Sequence, residues 1–212
     1  MPDFVVVEGP MAGGHLGFGQ DWMKYDLRTI FFEIKAWLDE MKIKIPLIPA
    51  GGIFTNQDAK LFMDNGAAAI QVATRFTVAK ECGLPEKAKI AYLESEPEDI
   101  VVNTISPTGY PMRMLKQSPG IGKAIKPNCE AYGYLLDSKK KCSYIDSYRH
   151  VMENSVGLTK VEDKTCLCTH MRNYSIWTCG SNVWRLKSVV KKLPSGKYEL
   201  PTAQSIIADY LK

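Results

Sequence analysis

The chain has 212 residues, a net charge of +4 and ordinary shares of apolar and charged residues, which indicate a globular protein large enough to bury a core. No apolar run approaches about 18 residues and no basic-then-apolar segment opens the sequence, so we expect no membrane span, no secretory signal and a cytoplasmic location. Six cysteines in that setting favour reduced thiols. The basic excess falls in residues 113–212, but its lysines are scattered, which argues against a nucleic-acid partner.

The first predicted element is a strand, because Phe4–Val7 is a run of four apolar residues, three of them β-branched. Such a run is typical of a strand that is buried on both faces. It ends at a Gly-Pro pair, after which Gly13 and Gly14 precede His15 in a loop with little side-chain bulk. The two glycines allow a flat ligand to approach the backbone, and the imidazole can exchange a proton near neutral pH. An active-site loop and a plain glycine-rich turn with a solvated histidine both fit this pattern.

Helix and strand patterns alternate after this loop. Apolar residues recur at three- and four-residue spacing from Leu27 to Met41, which predicts an amphipathic helix with Asp26 as its N-cap. The following predicted elements are a strand at Leu47–Ile53, a helix capped by Thr55 or Asn56, a strand at Ala67–Val72 and a helix near Pro85–Leu93.

This alternation predicts parallel βαβ units, whose strands all end at one edge of the sheet. Short loops of small residues follow two of the strands, at Gly51 and Gly52 and at Ala73 and Thr74. Their backbone N–H groups, together with the N-termini of the helices that follow, would form a phosphate cradle. Tight turns alone would also explain each glycine loop taken singly.

Three motifs resemble the nitronate monooxygenases, formerly called 2-nitropropane dioxygenases, whose first signature is shared with flavin-dependent enoyl-acyl-carrier-protein reductases. They are Glu8–Gly17, which contains the A-G-G-H-x-G signature, Pro49–Ile53, and Gln71–Phe76, which is similar to Q-x-G-T-R-F. Their order and spacing agree with the family. The resemblance covers residues 1 to about 115, including Ser106–Gly109, and Cys179–Leu186 looks like a weaker element near the C-terminus.

The resemblance implies a TIM barrel that carries FMN, with His15 as the catalytic residue. It places the flavin phosphate on the backbone after the second and third predicted strands. The implied cofactor-binding residues are Gly13, Gly14, Gly51, Gly52, Gln71, Val72, Ala73 and Thr74. Two residues depart from the family pattern: Ala73 replaces the glycine of Q-x-G-T, and Glu8 stands where many nitronate-oxidising members have glutamine.

The same resemblance makes Phe4–Val7 the sixth strand of the barrel. We therefore expect an α/β fold in which residues 1–112 form the C-terminal part of a TIM (β/α)8 barrel, about strands six to eight. Residues 113–212 would form an irregular, partly helical extension that packs on the barrel as a lid. Strands one to five would be absent, so we expect this chain by itself to bind FMN weakly or not at all, and a partner chain is one source of the missing half.

The function that the resemblance implies is FMN-dependent oxidation of alkyl nitronates by O2. The alternatives are an enoyl-thioester reductase that uses NAD(P)H, a non-catalytic barrel remnant, and a phosphate-binding barrel without flavin. No metal site is expected, because Cys166 and Cys168 lack the C-x2-C spacing of zinc knuckles, and buried thiols explain them better. His150 and His170 are expected at the surface.

Overall fold

The computed structural model describes residues 1–123, 125–129, 139, 141–154 and 164–212 of a mixed α/β protein. Its helices are α1 (Leu27–Glu40), α2 (Asn56–Met63), α3 (Glu86–Glu94), α4 (Ser143–Asn154), α5 (Leu167–Arg172), α6 (Leu186–Val189) and α7 (Ala203–Tyr210). Its strands are β1 (Val5–Glu8), β2 (Gly14–His15), β3 (Leu47–Ala50), β4 (Ile100–Asn103), β5 (Met112–Leu115), β6 (Lys191–Lys192) and β7 (Tyr198–Glu199). Within these described ranges, no helix has the length and apolar character needed to cross a membrane.

β1, α1 and β3 form the predicted parallel βαβ unit. The two strands pair in register from Val5 opposite Leu47 to Glu8 opposite Ala50. Since the strands are parallel, their C-terminal ends, and the glycine loops that follow them, lie at the same edge of the sheet.

The predicted helix caps are confirmed. The Asp26 carboxylate accepts the Thr29 N–H at 2.9 Å, which satisfies one of the donors that the first turn of α1 leaves free. At α2, the Thr55 hydroxyl accepts the Asp58 N–H at 3.2 Å and the Asp58 carboxylate accepts the Thr55 N–H at 2.8 Å. The chain leaves α2 through Gly66, whose φ of +93° lies in the region that favours glycine.

The strand predicted over Ala67–Val72 is reduced to a single bridge between Ala50 and Gln71. The segment still runs parallel to β3, because the Gln71 N–H donates to the Pro49 carbonyl oxygen at 2.9 Å. Pro49 has no N–H to return to this neighbour, so a regular ladder cannot continue.

β1 is not buried on both faces, which corrects the expectation from its unbroken apolar run. Val7 is 4% exposed and belongs to a core cluster with Phe31 of α1, whereas Val6 is 40% exposed and Phe4 54% exposed. Side chains alternate between the two faces of a strand. Among the described residues, α1 and α2 cover one face of the β1–β3 pair and leave the other bare.

A second sheet has the antiparallel order β2-β5-β4. In this sheet, Arg113 of the central strand β5 pairs with Gly14 of β2 on one side and with Val102 of β4 on the other. An isolated bridge between Met114 and Thr178 extends this contact to the C-terminal region. The sheet therefore connects the loop that carries His15 to residues far along the chain.

Two buried apolar clusters show how the parts of the molecule pack. The first lies between the β1–β3 pair and its helices and includes Val7, Leu27, Phe31, Leu47 and Phe62. The second combines residues from both halves of the chain: Phe54, Val78, Tyr92, Leu93, Leu115, Trp177, Val183 and Leu186. Each fully buried side chain of this size contributes about 1.5–3 kcal/mol, so the C-terminal region is held firmly against the first half.

The C-terminal helix α7 packs near the loops that end β3 and the Gln71 segment. Arg75 donates to the Asp209 carboxylate at 2.6 Å, and its guanidinium lies 5.1 Å from the centre of the Tyr210 ring. The Asn56 side chain donates to the Tyr210 carbonyl oxygen at 2.6 Å. The arginine of the Q-x-G-T-R-F-like motif thus fixes α7.

Candidate functional site

The ends of β1 and β3 and the segment after Gln71 surround one cavity of about 190 Å³. Most of the residues predicted to bind the cofactor line it, namely Gly13, Gly51, Gly52, Gln71, Val72, Ala73 and Thr74. Glu8, Met11 and Gly180 complete much of its wall. Gly14 is not part of this lining; it lies in β2 with a φ of +75°.

Backbone donors face this cavity from two loops. Within the described residues, the N–H groups of Gly52, Ala73 and Thr74 donate no hydrogen bond to the protein, whereas the Gly51 N–H faces the Gln71 carbonyl oxygen in the bridge between Ala50 and Gln71. Gly51 and Gly52 have φ values of +92° and +85°, which few other residues tolerate. N–H groups exposed on such turns form concave sites for anions. The cavity therefore has the donors that a phosphate group needs.

Because Gly13 has no side chain, the backbone of a later segment of the chain packs directly against it. A Cβ at this position would lie 2.4 Å from the carbonyl carbon of Cys179 and 2.6 Å from the nitrogen of Gly180. The close approach that we expected from a flat ligand is made here by the protein backbone. Gly13 still lines the cavity, but its conformation and contacts are explained by packing.

The segment 179–182 joins the loop after β1 to the loop after β3. The Ser181 N–H donates to the Met11 carbonyl oxygen at 3.1 Å, and the Asn182 side chain donates to the Gly52 carbonyl oxygen at 2.6 Å. These bonds fix one carbonyl group in each of the two loops. The weak C-terminal element of the sequence is thus a structural part of the site.

Helix N-termini contribute less to the cavity than we predicted. The Asp58 carboxylate accepts the N–H groups of Phe54 at 3.0 Å and Thr55 at 2.8 Å, so the two N–H groups directly before α2 are bonded within the chain. After Ala73, a five-residue 3-10 turn, Thr74–Val78, comes before the predicted helix α3, so no α-helix begins directly at this loop. The free donors of the cavity come from loops.

Arg113 of β5 binds the loop after β1. Its side chain is 2% exposed and donates from Nη1 to the Pro10 carbonyl oxygen at 2.6 Å and to that of Ala12. The guanidinium also lies 4.8 Å from the centre of the Trp22 ring. Two carbonyl dipoles and an aromatic face surround this buried charge. Arg113 therefore fixes the conformation of the loop that leads to His15.

His15 lies in β2, and its ring contacts the loop between β4 and β5 rather than the cavity lining. Its Nε2 is 2.6 Å from the hydroxyl oxygen of Ser106, which is fully buried. The imidazole is half-buried, and burial lowers its pKa because desolvation disfavours the charged form. His15 is therefore neutral at pH 7 and can serve as a hydrogen-bond donor or a base.

Glu8 is the acidic group of the cavity wall. It ends β1 beside Ala50, and burial raises the pKa of its carboxyl group. Because its pKa is raised, the Glu8 carboxyl group is neutral in a larger fraction of molecules at a given pH than an ordinary glutamate is. It lies near the free N–H groups of the cavity.

The C-terminal cysteines and histidines do not assemble into a metal site in the described part of the chain, where no cluster of three or more His, Cys, Asp or Glu side chains occurs. Cys166 and Cys168 are buried, as predicted. His150 is exposed, as predicted, but His170 is only 3% exposed, which corrects its expected surface position. α5 is packed into the interior, and the His170 Nδ1 lies 2.8 Å from the Ser175 hydroxyl oxygen.

Comparison with known proteins decides the family. The family model described as Nitronate monooxygenase matches residues 1–140, which is well over half of the chain. The chain belongs to the nitronate monooxygenase family. Members of this family are in general flavin-dependent oxidoreductases, so a small-molecule substrate and redox chemistry are established at the level of the family.

The nitronate monooxygenase match extends to curated relatives. Over 113 residues the chain is 31% identical to a probable nitronate monooxygenase of Staphylococcus saprophyticus, covering 52% of this chain and 31% of that protein. Over 113 residues it is 29% identical to a Rhodococcus jostii protein named (3aS,4S,5R,7aS)-5-hydroxy-7a-methyl-1-oxo-octahydro-1H-indene-4-carboxyl-CoA dehydrogenase, covering 53% of this chain and 29% of that protein. The chain thus spans less than a third of the length of these relatives.

Solved structures of similar fold cover almost the whole chain. FabK from Thermotoga maritima aligns with 99% of this chain and 53% of its own, with a TM-score of 0.56 and 19% identity. A nitroalkane oxidase from Streptomyces ansochromogenes aligns with 99% of this chain and 52% of its own, with a TM-score of 0.54 and 20% identity. The chain therefore shares the fold of about half of each neighbour.

Several residues of the site were not predicted from the sequence. Ser106 contacts His15, Arg113 clamps the first loop, and Ser181 and Asn182 join two loops. Ser106 and Asn182 lie within segments that resemble the family, so that resemblance was the signal available for them. No sequence pattern indicated the role of Arg113, because a single arginine within an apolar strand is normally expected at the surface.

Proposed function

We propose that this chain carries the phosphate-binding part of the FMN site of an oxidoreductase that oxidises alkyl nitronates with O2. The observation that supports this most strongly is the cavity with three backbone N–H groups, those of Gly52, Ala73 and Thr74, that donate to nothing in the described protein. The family match supplies the chemistry that such a phosphate site would serve.

The residues present fit an FMN phosphate. Gly52, Ala73 and Thr74 would donate their N–H groups to its oxygens, and Gly51 would line the site beside them. The methyl group of Ala73 narrows the cavity relative to the glycine found in the family motif. Gly13, Gly14, Gln71 and Val72 complete the proposed set of cofactor-binding residues. When bound, the flavin supplies the redox chemistry, and the protein positions it against the substrate.

His15 is the proposed catalytic residue. It follows the glycine loop that walls the cavity, and its lowered pKa keeps the ring neutral, so it can hold a proton opposite an anionic nitronate or accept one from a carbon acid. General acid–base assistance of this kind contributes about 10²–10⁴-fold to the rate.

We further propose that residues 1–112 form the last strands of a TIM barrel and that residues 113–212 form an extension that packs on it. The exposed side chains of Phe4 and Val6 lie on a bare face of β1, as they would on the inner wall of an incomplete barrel. The remaining strands would come from further sequence or from a partner chain. This chain by itself should then bind FMN weakly, because the wall opposite the flavin ring is missing.

An enoyl or acyl thioester, with NAD(P)H as donor, is the second candidate substrate. Glu8 favours it, since this acid lines the cavity where many nitronate-oxidising members have glutamine. The relative from Rhodococcus jostii is named for a carboxyl-CoA substrate.

Replacing His15 by alanine tests the catalytic assignment. In the assembled, flavin-loaded enzyme, His15→Ala should lower kcat by about 10²–10⁴-fold, because the group that exchanges the proton is lost. The FMN content, read from the flavin absorbance, should stay within twofold of the wild type. His150→Ala, which removes an exposed histidine of α4, should leave both unchanged. Full turnover by His15→Ala would refute the assignment.

Turnover of propionate-3-nitronate against a crotonyl thioester with NAD(P)H separates the two substrate classes. We expect oxygen consumption with the nitronate. Reduction of the thioester, with no turnover of the nitronate, would favour the second candidate.

A further inference from the structure

We propose that Ser106 is a positioning residue that donates its hydroxyl proton to Nε2 of His15 and so keeps the ring proton on Nδ1. The two atoms are 2.6 Å apart, Ser106 is fully buried, and the contact joins residues 91 positions apart in the chain. The direction of the hydrogen bond and its catalytic part rest on the proposed function, whereas the 2.6 Å contact between the two side chains does not.

The possible directions follow from the partners of the Ser106 hydroxyl group, which has one hydrogen and two lone pairs. The Thr108 N–H donates to it at 3.2 Å and occupies one lone pair. The Thr108 hydroxyl oxygen, 2.8 Å away, accepts the Tyr110 N–H at 3.3 Å. One lone pair and one hydrogen of Ser106 therefore remain for Thr108 and His15.

Only one arrangement uses every hydroxyl hydrogen inside this network. If Thr108 donates to Ser106 and Ser106 donates to His15, both hydroxyl hydrogens have acceptors. In the reverse direction, His15 donates to Ser106 and Ser106 donates to Thr108, and no described residue accepts the Thr108 hydroxyl hydrogen. Each arrangement leaves one donor without a protein acceptor in the described part of the molecule: the Nδ1–H of His15 in the first and the Thr108 hydroxyl in the second. The first arrangement is favoured because it leaves that donor on the proposed catalytic ring, where a substrate oxygen can accept it.

The loop that carries Ser106 is held in place by residues far along the chain. Lys164 donates to the Thr104 carbonyl oxygen at 2.8 Å and to that of Ser106 at 3.4 Å. The Thr165 N–H donates to the Ile105 carbonyl oxygen at 2.9 Å. The Ser106 hydroxyl group is thus fixed by the backbone on both sides, which a positioning residue requires.

The consequence is a defined role for the second ring nitrogen. With Nε2 occupied by Ser106, Nδ1 carries the proton, and in the described part of the molecule no residue accepts it. A hydrogen-bond donor that is left without a protein acceptor suits a substrate that presents an anionic oxygen. A nitronate has such an oxygen on its nitro group.

The tautomer is measured directly by nitrogen-15 NMR of the histidine rings in the 212-residue chain without cofactor. In the wild type we expect His15 to show a protonated Nδ1 and an unprotonated Nε2. Ser106→Ala should move the proton toward Nε2, and Thr108→Val should give a smaller change of the same sign. Ser95→Ala is the matched control, since Ser95 is also fully buried and bonds only the Tyr92 carbonyl oxygen; it should change nothing.

A protonated Nε2 in the wild type, or an unchanged pattern in Ser106→Ala, would overturn the proposal. In the assembled enzyme, Ser106→Ala should lower kcat by about ten- to a hundred-fold, less than loss of the whole imidazole, with KM changed little. If the NMR result holds and neither nitronate nor thioester is turned over, the proposed function fails and the hydrogen-bond assignment stands.

Discussion

At the scale of single residues, two neighbouring glycines have opposite surroundings. A Cβ on Gly13 would lie 2.4 Å from the backbone of Cys179, whereas a Cβ on Gly17 would meet no atom within 4 Å. Both glycines belong to the same family-like motif. The contrast separates a glycine that the fold requires for packing from one that it does not.

We expect Gly13→Ala to destabilise the chain by about 1–3 kcal/mol, since the added methyl group must displace backbone rather than a flexible side chain. Gly17→Ala is the matched control and should change the free energy of unfolding by about 0.5 kcal/mol or less. Urea unfolding followed by circular dichroism measures both. Equal stability of the two variants would show that segment 179–182 does not pack on the first loop.

The residues that line the cavity were predictable because they follow strands directly in sequence. Gly51 and Gly52 come at the end of β3, and parallel pairing brings them to the same edge as Gly13. Ser106 and Asn182 were not predictable from patterns, because their contacts with His15 and Gly52 span 91 and 130 residues. Only the folded chain brings such distant polar groups together.

At the scale of elements, a buried arginine is one of the contacts that hold α7. The Arg75 side chain is 9% exposed and donates to the Asp209 carboxylate at 2.6 Å. Lys212 reaches the other oxygen of the same carboxylate at 2.7 Å, but its side chain is 74% exposed. Both cations bind the Asp209 carboxylate, but Arg75 does so in a buried environment and Lys212 does so in water.

Arg75→Met should therefore lower the free energy of unfolding by about 1.5–3 kcal/mol, the range for a hydrogen bond to a charged group. Lys212→Met should change it by about 0.5 kcal/mol or less, because an exposed ion pair is screened by water. Thermal unfolding of both variants tests this, and proteolysis near residue 202 would report release of α7. The account of α7 is wrong if the two substitutions have the same effect.

Elements with local signals were predicted well, and those that depend on distant partners were not. α1 and α2 were recognised through Asp26 and Thr55, whose capping bonds lie within three residues. The segment ending at Gln71 looked like a strand from its apolar run, but its pairing depends on Pro49, which lacks the N–H for a ladder. In the β2-β5-β4 sheet, β4 follows a β-like apolar run in the sequence, whereas β2 and β5 pair residues about a hundred positions apart, which leaves no local signal.

At the scale of the whole molecule, two features belong together. One is the bare face of β1, where Val6 is 40% exposed; the other is the cavity at the ends of the same strands. A parallel sheet is normally covered on both faces, and ligands bind at the C-terminal ends of its strands. Both features support our proposal that the chain carries the phosphate-binding part of a flavin site.

The most direct test of this account is a titration of the chain, labelled with nitrogen-15, with FMN and separately with riboflavin, which lacks the phosphate. We expect weak binding in which FMN, and inorganic phosphate alone, shift the backbone N–H signals of Gly51, Gly52, Ala73 and Thr74, while riboflavin does not. If FMN leaves these four signals in place, or shifts a different region of the protein, the cavity is not a flavin phosphate site and the central claim is wrong.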